Sequence, residues 1–215
     1  MVYALRSVKN PLYRLKTYET VEEWKDDGGE GKIVFETDEI TDVTNFRICG
    51  KLLFCSPKLA IPEGITSIGR GVFINQEQGI FSAEVNTVNI PASVQTVEEG
   101  AFVDTWIDKV KIHPDSLCGI IKDNGFYTRD GKKLLYVLGY TNADDYEYIV
   151  PEGTTRIAFD AFMGLTLTLV LPASVTEIGY DAFYKYDYET VTYKAPKGSY
   201  GIQYCKEHNL EYEEL

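Results

Sequence analysis

Residues 169–183 read Leu169-Val170-Leu171-Pro172-Ala173-Ser174-Val175-Thr176-Glu177-Ile178-Gly179-Tyr180-Asp181-Ala182-Phe183, and three other stretches nearly repeat them. The copies are 59–73 (LAIPEGITSIGRGVF), 88–102 (VNIPASVQTVEEGAF) and 148–162 (YIVPEGTTRIAFDAF). Each opens with a short alternating strand such as Leu169–Leu171, whose end residues face one way and whose middle residue faces the other. Pro172 then stops the strand, because it has no N–H to give to a ladder. A loop leads to a second apolar pair, Val175 and Ile178, and Ala182-Phe183 supplies a small and a large core residue near a helical or 3₁₀ turn. One unit cannot bury its apolar side alone, so the pattern predicts stacked coils sharing one core.

The last apolar residue of each strand marks the period: Ile61, Ile90, Ile112, Val150, Leu171 and Tyr193, at steps of 29, 22, 38, 21 and 22 residues. The basic coil is therefore about 22 residues, within the roughly 20–29 of leucine-rich repeats. The units ending at Ile112 and Tyr193 are degenerate; their prolines slip by one and two places and no Ala-Phe follows. The long steps hold inserts, a polar loop over 74–86 and a segment over 123–147. The second contains a hairpin signal, Asp130-Gly131, suited to a type I′ turn that sets Tyr127 opposite Leu134.

Both ends read as caps. Residues 1–57 lack the repeat; Thr20 and Glu23 form a capping box for a short helix that stops at Gly28-Gly29. Strands are expected at 32–36 and 45–55, the latter folded at Gly50-Lys51 into a hairpin that points Cys49 and Cys55 to opposite faces. At the other end Ser199 is placed to N-cap a helix reaching His208, with Asn209 as its stop and a strand at 210–212. This divides the chain into a cap over 1–57 and a solenoid over 58–215, with a helical cap at about 194–215.

The repeated stretch resembles the unit of the BspA-like leucine-rich repeat family (leucine-rich repeat 5), I-x-I-P-x-S-V-T-x-I-G-x-x-A-F. Residues 169–183 match almost position by position; the 148–162 copy departs at Ala158, where the family has Gly, and the 88–102 copy at Val97-Glu98. The C-terminal APKGSYGIQYCKEHNLEY and the stretch DGKKLLYVLGY to YIVPEGT are also similar to that family, so the resemblance covers about residues 59–215. It implies an α/β or mainly β solenoid, a right-handed leucine-rich-repeat superhelix of short parallel strands. It further implies a surface or secreted bacterial protein of the adhesion type.

The formal charge of −12 disfavours nucleic acid and anionic membranes as partners. No stretch approaches the roughly 20 apolar residues of a membrane helix. The first thirty residues lack the apolar core of a signal peptide, so a cytoplasmic location is the alternative to a processed surface chain. The four cysteines, 49, 55, 118 and 205, show neither metal spacing nor a dense disulfide pattern and read as free thiols.

The two histidines, His113 and His208, have no Ser or Cys beside them in a nucleophile setting. Asp144-Asp145 and Glu98-Glu99 read as solvated charge, and calcium-loop spacing is absent. We therefore expect no enzyme, no cofactor and no metal. The outward strand positions form the natural binding face of a solenoid: Thr87, Asn89, Lys109, Lys111, Ile149, Thr168, Val170, Thr190 and Thr192. Tyr184, Tyr186 and Tyr188 make a second candidate, an aromatic patch suited to protein or sugar contact. The expected function is a non-catalytic binding or adhesion module for a protein or glycan ligand; the alternative is an intracellular interaction scaffold.

Overall fold

A computed structural model describes residues 2–6, 14–18, 33–36, 46–48, 51–55, 58–61, 63–70, 84–103, 106–139, 147–163, 167–184 and 191–215. The chain forms two compact units, Met1–Gly119 and Ile120–Leu215.

The first unit begins with a four-stranded antiparallel sheet, in the order Arg14–Tyr18, Val2–Arg6, Ile33–Glu36, Lys51–Cys55. Two parallel ladders follow. The front ladder runs Trp106–Ile112, Glu84–Ile90, Lys58–Ala60, and the second runs Phe46–Ile48, Ile65–Ile68, Thr96–Val97. A coil thus gives one strand to the front and the next to the second ladder, as Glu84–Ile90 and Thr96–Val97 do on either side of Pro91. Backbone bonds join successive coils even at these turns, as in Gln95 N–H to Thr66 and Glu98 N–H to Ile68. The core between the ladders holds Ile65, Ile68, Val88, Ile90, Val94 and Phe102.

The expected hairpin fails in this unit. Residues 46–55 do not fold back on themselves: Phe46–Ile48 pairs in parallel with Ile65–Ile68, and Lys51–Cys55 pairs with Ile33–Glu36. Parallel pairing makes 46–48 a rung of the second ladder, so coil structure starts ahead of the first recognisable repeat. A two-residue turn signal cannot reveal this, because the competing partner lies about twenty residues further on. The 20–29 helix, residues 74–83 of the expected loop and Cys49 lie outside the described residues; residues 84–86 are not loop but open the strand Glu84–Ile90.

The second unit has three parallel facets. The front ladder runs Glu147–Ile149, Leu167–Val170, Val191–Ala195, Tyr212–Glu214. The second runs Ile120–Lys122, Gly125–Tyr127, Lys133–Val137, Arg156–Ile157, Glu177–Ile178, antiparallel at first and parallel from Lys133–Val137 onward. Phe162–Met163 and Phe183–Tyr184 pair as the third. The Ala-Phe element is therefore the start of a strand, not a helical turn: Phe162 lies beside Phe183 in register. The residue before each Ala takes a left-handed conformation, with φ of 53° at Asp160 and 50° at Asp181, and this redirects the chain onto the third facet.

The segment read as an insert supplies rungs of the second ladder, with Tyr127 opposite Leu134. Its turn is not type I′, because Gly131 has positive φ while Asp130 does not. Gly131 N–H instead bonds Thr128 carbonyl across a four-residue turn, and the Asp130 carboxylate accepts from Lys132 N–H and Thr128 Oγ1. A helix, Tyr200–Glu207, closes the end. Ser199 Oγ caps it by accepting Ile202 N–H, and Asn209 with φ 53° ends it. Gly201 sits against Leu171 and Ala195, where a Cβ would be crowded. The final strand is Tyr212–Glu214, two residues beyond the expected 210–212.

Candidate functional site

In the first unit the front ladder aligns Lys58, Thr87 and Lys109 in one row and Ala60, Asn89 and Lys111 in the next. Val88 and Val110 turn into the core between these rows, so Thr87 and Asn89 stand half-buried on the outer side while Lys109 and Lys111 are exposed. Neither lysine makes an ion pair among the described residues. A shallow hollow of about 310 Å³ opens at the strand ends, lined by Asn89, Pro91, Lys111 and His113.

In the second unit the rows are Glu147, Thr168, Thr192 and Ile149, Val170, Lys194, Glu213. Leu169 and Tyr193 point inward and are fully buried; Thr168, Val170 and Thr192 are half-buried, and Ile149 is 58% exposed. Lys194 was missed in the sequence because the strand was ended at Tyr193. The alternation in fact continues to Ala195 and brings Lys194 outward. Its Nζ lies 3.9 Å from Glu147 and 3.5 Å from Glu213, so this face neutralises its own cation.

Thr190, Tyr186 and Tyr188 lie outside the described residues. Tyr184 belongs by its backbone to the third-facet strand beside Met163, so it does not share the front ladder. Tyr193 is a core residue: its ring meets Phe183 edge-on at 5.1 Å. It ends an aromatic column in which Tyr148 meets Phe162 at 5.5 Å and Phe162 meets Phe183 at 5.3 Å. Burial drives the Tyr193 hydroxyl far above the usual phenol range, with Tyr204 and Cys205 adding to the shift.

His113 accepts Asp115 N–H at its Nδ1, and His208 lies against the Tyr204 ring at 4.2 Å. Among the described residues no group of three metal-ligating side chains converges. Cys118 and Cys205 are buried free thiols, and burial raises the Cys205 pKa to about 11, which leaves it a poor nucleophile at neutral pH. No described helix is long and apolar enough to cross a membrane. The arrangement presents surface for contact; it brings no described nucleophile, base and oxyanion donors together.

The model of the BspA type leucine-rich repeat region matches residues 46–133 and 140–209 in six copies. That covers well over half of the sequence, and the chain belongs to this family. The match begins at residue 46, the first rung of the second ladder. No curated protein matches the chain. Among solved structures it is similar to a leucine-rich repeat protein from Eubacterium ventriosum, at 15% identity and a TM-score of 0.41 over 64% of this chain and 42% of that one. The pneumococcal vaccine antigen PcpA is 17% identical, with a TM-score of 0.43 over 64% and 41% of the two chains. A leucine rich cell surface protein from Faecalibacterium prausnitzii is 23% identical, with a TM-score of 0.43 over 62% and 40%. The chain spans about two-fifths of the length of these solved structures.

Proposed function

We propose, from membership of that family, that this chain is a non-catalytic adhesion module of a bacterial surface or secreted protein. Its ligand lies on the outer side of a front ladder. The contact residues are Thr87, Asn89, Lys109 and Lys111 in the first unit; the second unit offers a separate candidate face, Ile149, Thr168, Val170 and Thr192. The observation that carries the reading is the pair Lys109 and Lys111, exposed and without an ion pair among the described residues of a chain of net charge −12. A surface charge so placed is available to steer and orient an acidic protein ligand. Lys194, held by Glu147 and Glu213, has little left to offer.

The test is saturable binding of the full chain to a panel of host matrix proteins. The variant Lys109→Glu/Lys111→Glu should lose at least about tenfold in affinity, and binding should weaken with salt. Unchanged binding in that variant would remove the proposed face. Fractionation of the source cells tests the compartment: recovery only from the cytoplasm favours the intracellular scaffold instead.

A further inference from the structure

The second unit carries a groove on the inner side of its front ladder. It arises because the coil after Val191–Ala195 replaces its second and third facets with the helix Tyr200–Glu207. That helix is anchored at Gly201 on Leu171 and Ala195, so its far end stands over Phe183 without filling the space beside it. The ring centroids of Phe183 and Tyr204 are 6.1 Å apart. What remains is a groove of about 590 Å³, walled by Tyr180, Asp181, Phe183, Tyr193, Tyr204 and His208 among others. This is within the range of sites for small ligands, roughly 300–1,000 Å³.

Three features of the wall narrow the chemistry. The Tyr193 hydroxyl is fully buried and has no hydrogen-bond partner among the described residues, although a buried polar group ordinarily has one. Tyr180 is 80% exposed, a large aromatic ring left in water at the rim beside the exposed Asp181. Among the described residues no lysine or arginine lines the groove, and the chain is acidic, so an anionic ligand is disfavoured. A pyranose ring satisfies all three conditions. Its C–H face is apolar and stacks on an aromatic ring; its hydroxyls donate to a carboxylate and exchange hydrogen bonds with phenols.

We propose that this groove binds a neutral sugar, the terminal hexose or N-acetylhexosamine of a glycan. Tyr180 provides the stacking platform, Asp181 accepts hydroxyl hydrogens, and Tyr193 bonds the hydroxyl that reaches deepest. Burial keeps the Tyr193 phenol protonated at neutral pH, so it is available as a donor. Tyr193 belongs to the front ladder by its backbone but faces inward, so the site shares none of the outward residues proposed as the adhesion face and stands or falls independently of them.

The full chain is titrated with methyl glucoside, methyl galactoside, methyl mannoside, N-acetylglucosamine and their β-linked disaccharides, followed by saturation-transfer NMR and calorimetry. At least one sugar should bind saturably. Tyr180→Ala and Asp181→Asn should each weaken it about tenfold or more; Asn tolerates the left-handed backbone held at Asp181. Tyr193→Phe should weaken binding while leaving the unfolding temperature unlowered, and Lys109→Glu/Lys111→Glu should leave it intact. The proposal is overturned if no sugar in the panel saturates. It is equally overturned if binding survives Tyr180→Ala and Asp181→Asn undiminished.

Discussion

The hydroxyl of Ser174 accepts the backbone N–H of Gly153 at 3.0 Å and donates to the carbonyl of Thr154 at 2.8 Å. One side chain thereby closes two backbone groups of the preceding coil, where the proline has interrupted the ladder. The same position repeats the device: Ser93 accepts Gly64 N–H at 2.9 Å, and Ser116 donates to Val94 carbonyl at 2.7 Å in the degenerate unit. Ser174→Ala should therefore cost about 1–3 kcal/mol, the range for leaving partly buried polar groups unsatisfied. Urea unfolding of the variant checks it; a loss under about 0.5 kcal/mol would mean water replaces the bonds freely.

Phe162 and Phe183 lie in register at 5.3 Å but differ in burial: Phe162 is in the core and Phe183 only half-buried at the groove. Phe162→Ala should cost about 3–5 kcal/mol, and Phe183→Ala clearly less, because part of its ring already meets water. The equal burial expected for the two from the repeat does not hold. Denaturant midpoints of the two variants measure the ordering.

Gly179 is packed under the backbone of the coil before it. A Cβ there would come within 2.5 Å of Phe159 N and 2.9 Å of the Ala158 carbonyl carbon. Gly179→Ala should destabilise by about 1–3 kcal/mol by forcing those coils apart. A thermal melt equal to that of the parent would refute this packing.

Tyr127 and Tyr148 share a buried hydroxyl–hydroxyl bond of 2.8 Å. Burial is the main cause that raises the Tyr127 pKa from the ordinary 10.0 to about 12; the bond to Tyr148 opposes it and Asp123 adds to it. The stabilisation is fully present below pH 10.0, where folded and unfolded chains both keep the proton. As the pH rises toward about 12 the unfolded chain gives up its proton first, and stability falls. Stability measured over that window should fall less steeply in Tyr127→Phe, which has no proton to lose there.

Cys118 and Cys205 are buried, and the Cys205 thiol is shifted to about 11 by burial. Iodoacetamide at neutral pH should label both only after unfolding. Peptide mapping of the alkylated native chain decides this; rapid native labelling of Cys205 would show that the helix opens readily.

Much of this molecule is written in short-range patterns. The recurrence of Ile-Pro and Ala-Phe announced the coils, and alternation about Val88, Leu169 and Tyr193 separated inward from outward side chains. Ser199 and Asn209 marked the helix ends, since capping depends on neighbours within a turn. The left-handed corner at Asp160 and Asp181 was not legible in the sequence, where the Ala-Phe element reads as lying near a helical turn. What else stayed hidden involves partners distant in the chain. Phe46–Ile48 joined Ile65–Ile68 in place of its nearest neighbour, because ladder edges compete by geometry.

By itself, then, the order of amino acids determined that coils stack, where the repeats turn, and which residues of the front strands around Val88, Tyr148 and Leu169 face inward, since a coil's apolar spacing is a property of some twenty consecutive residues. Only the tertiary structure decided that Lys194 is spent between Glu147 and Glu213, that Phe183 borders water, and that a groove opens beneath the last helix. Those outcomes follow from how one rung lies upon another and from how much of the final coil a single helix can cover, and no local pattern encodes either.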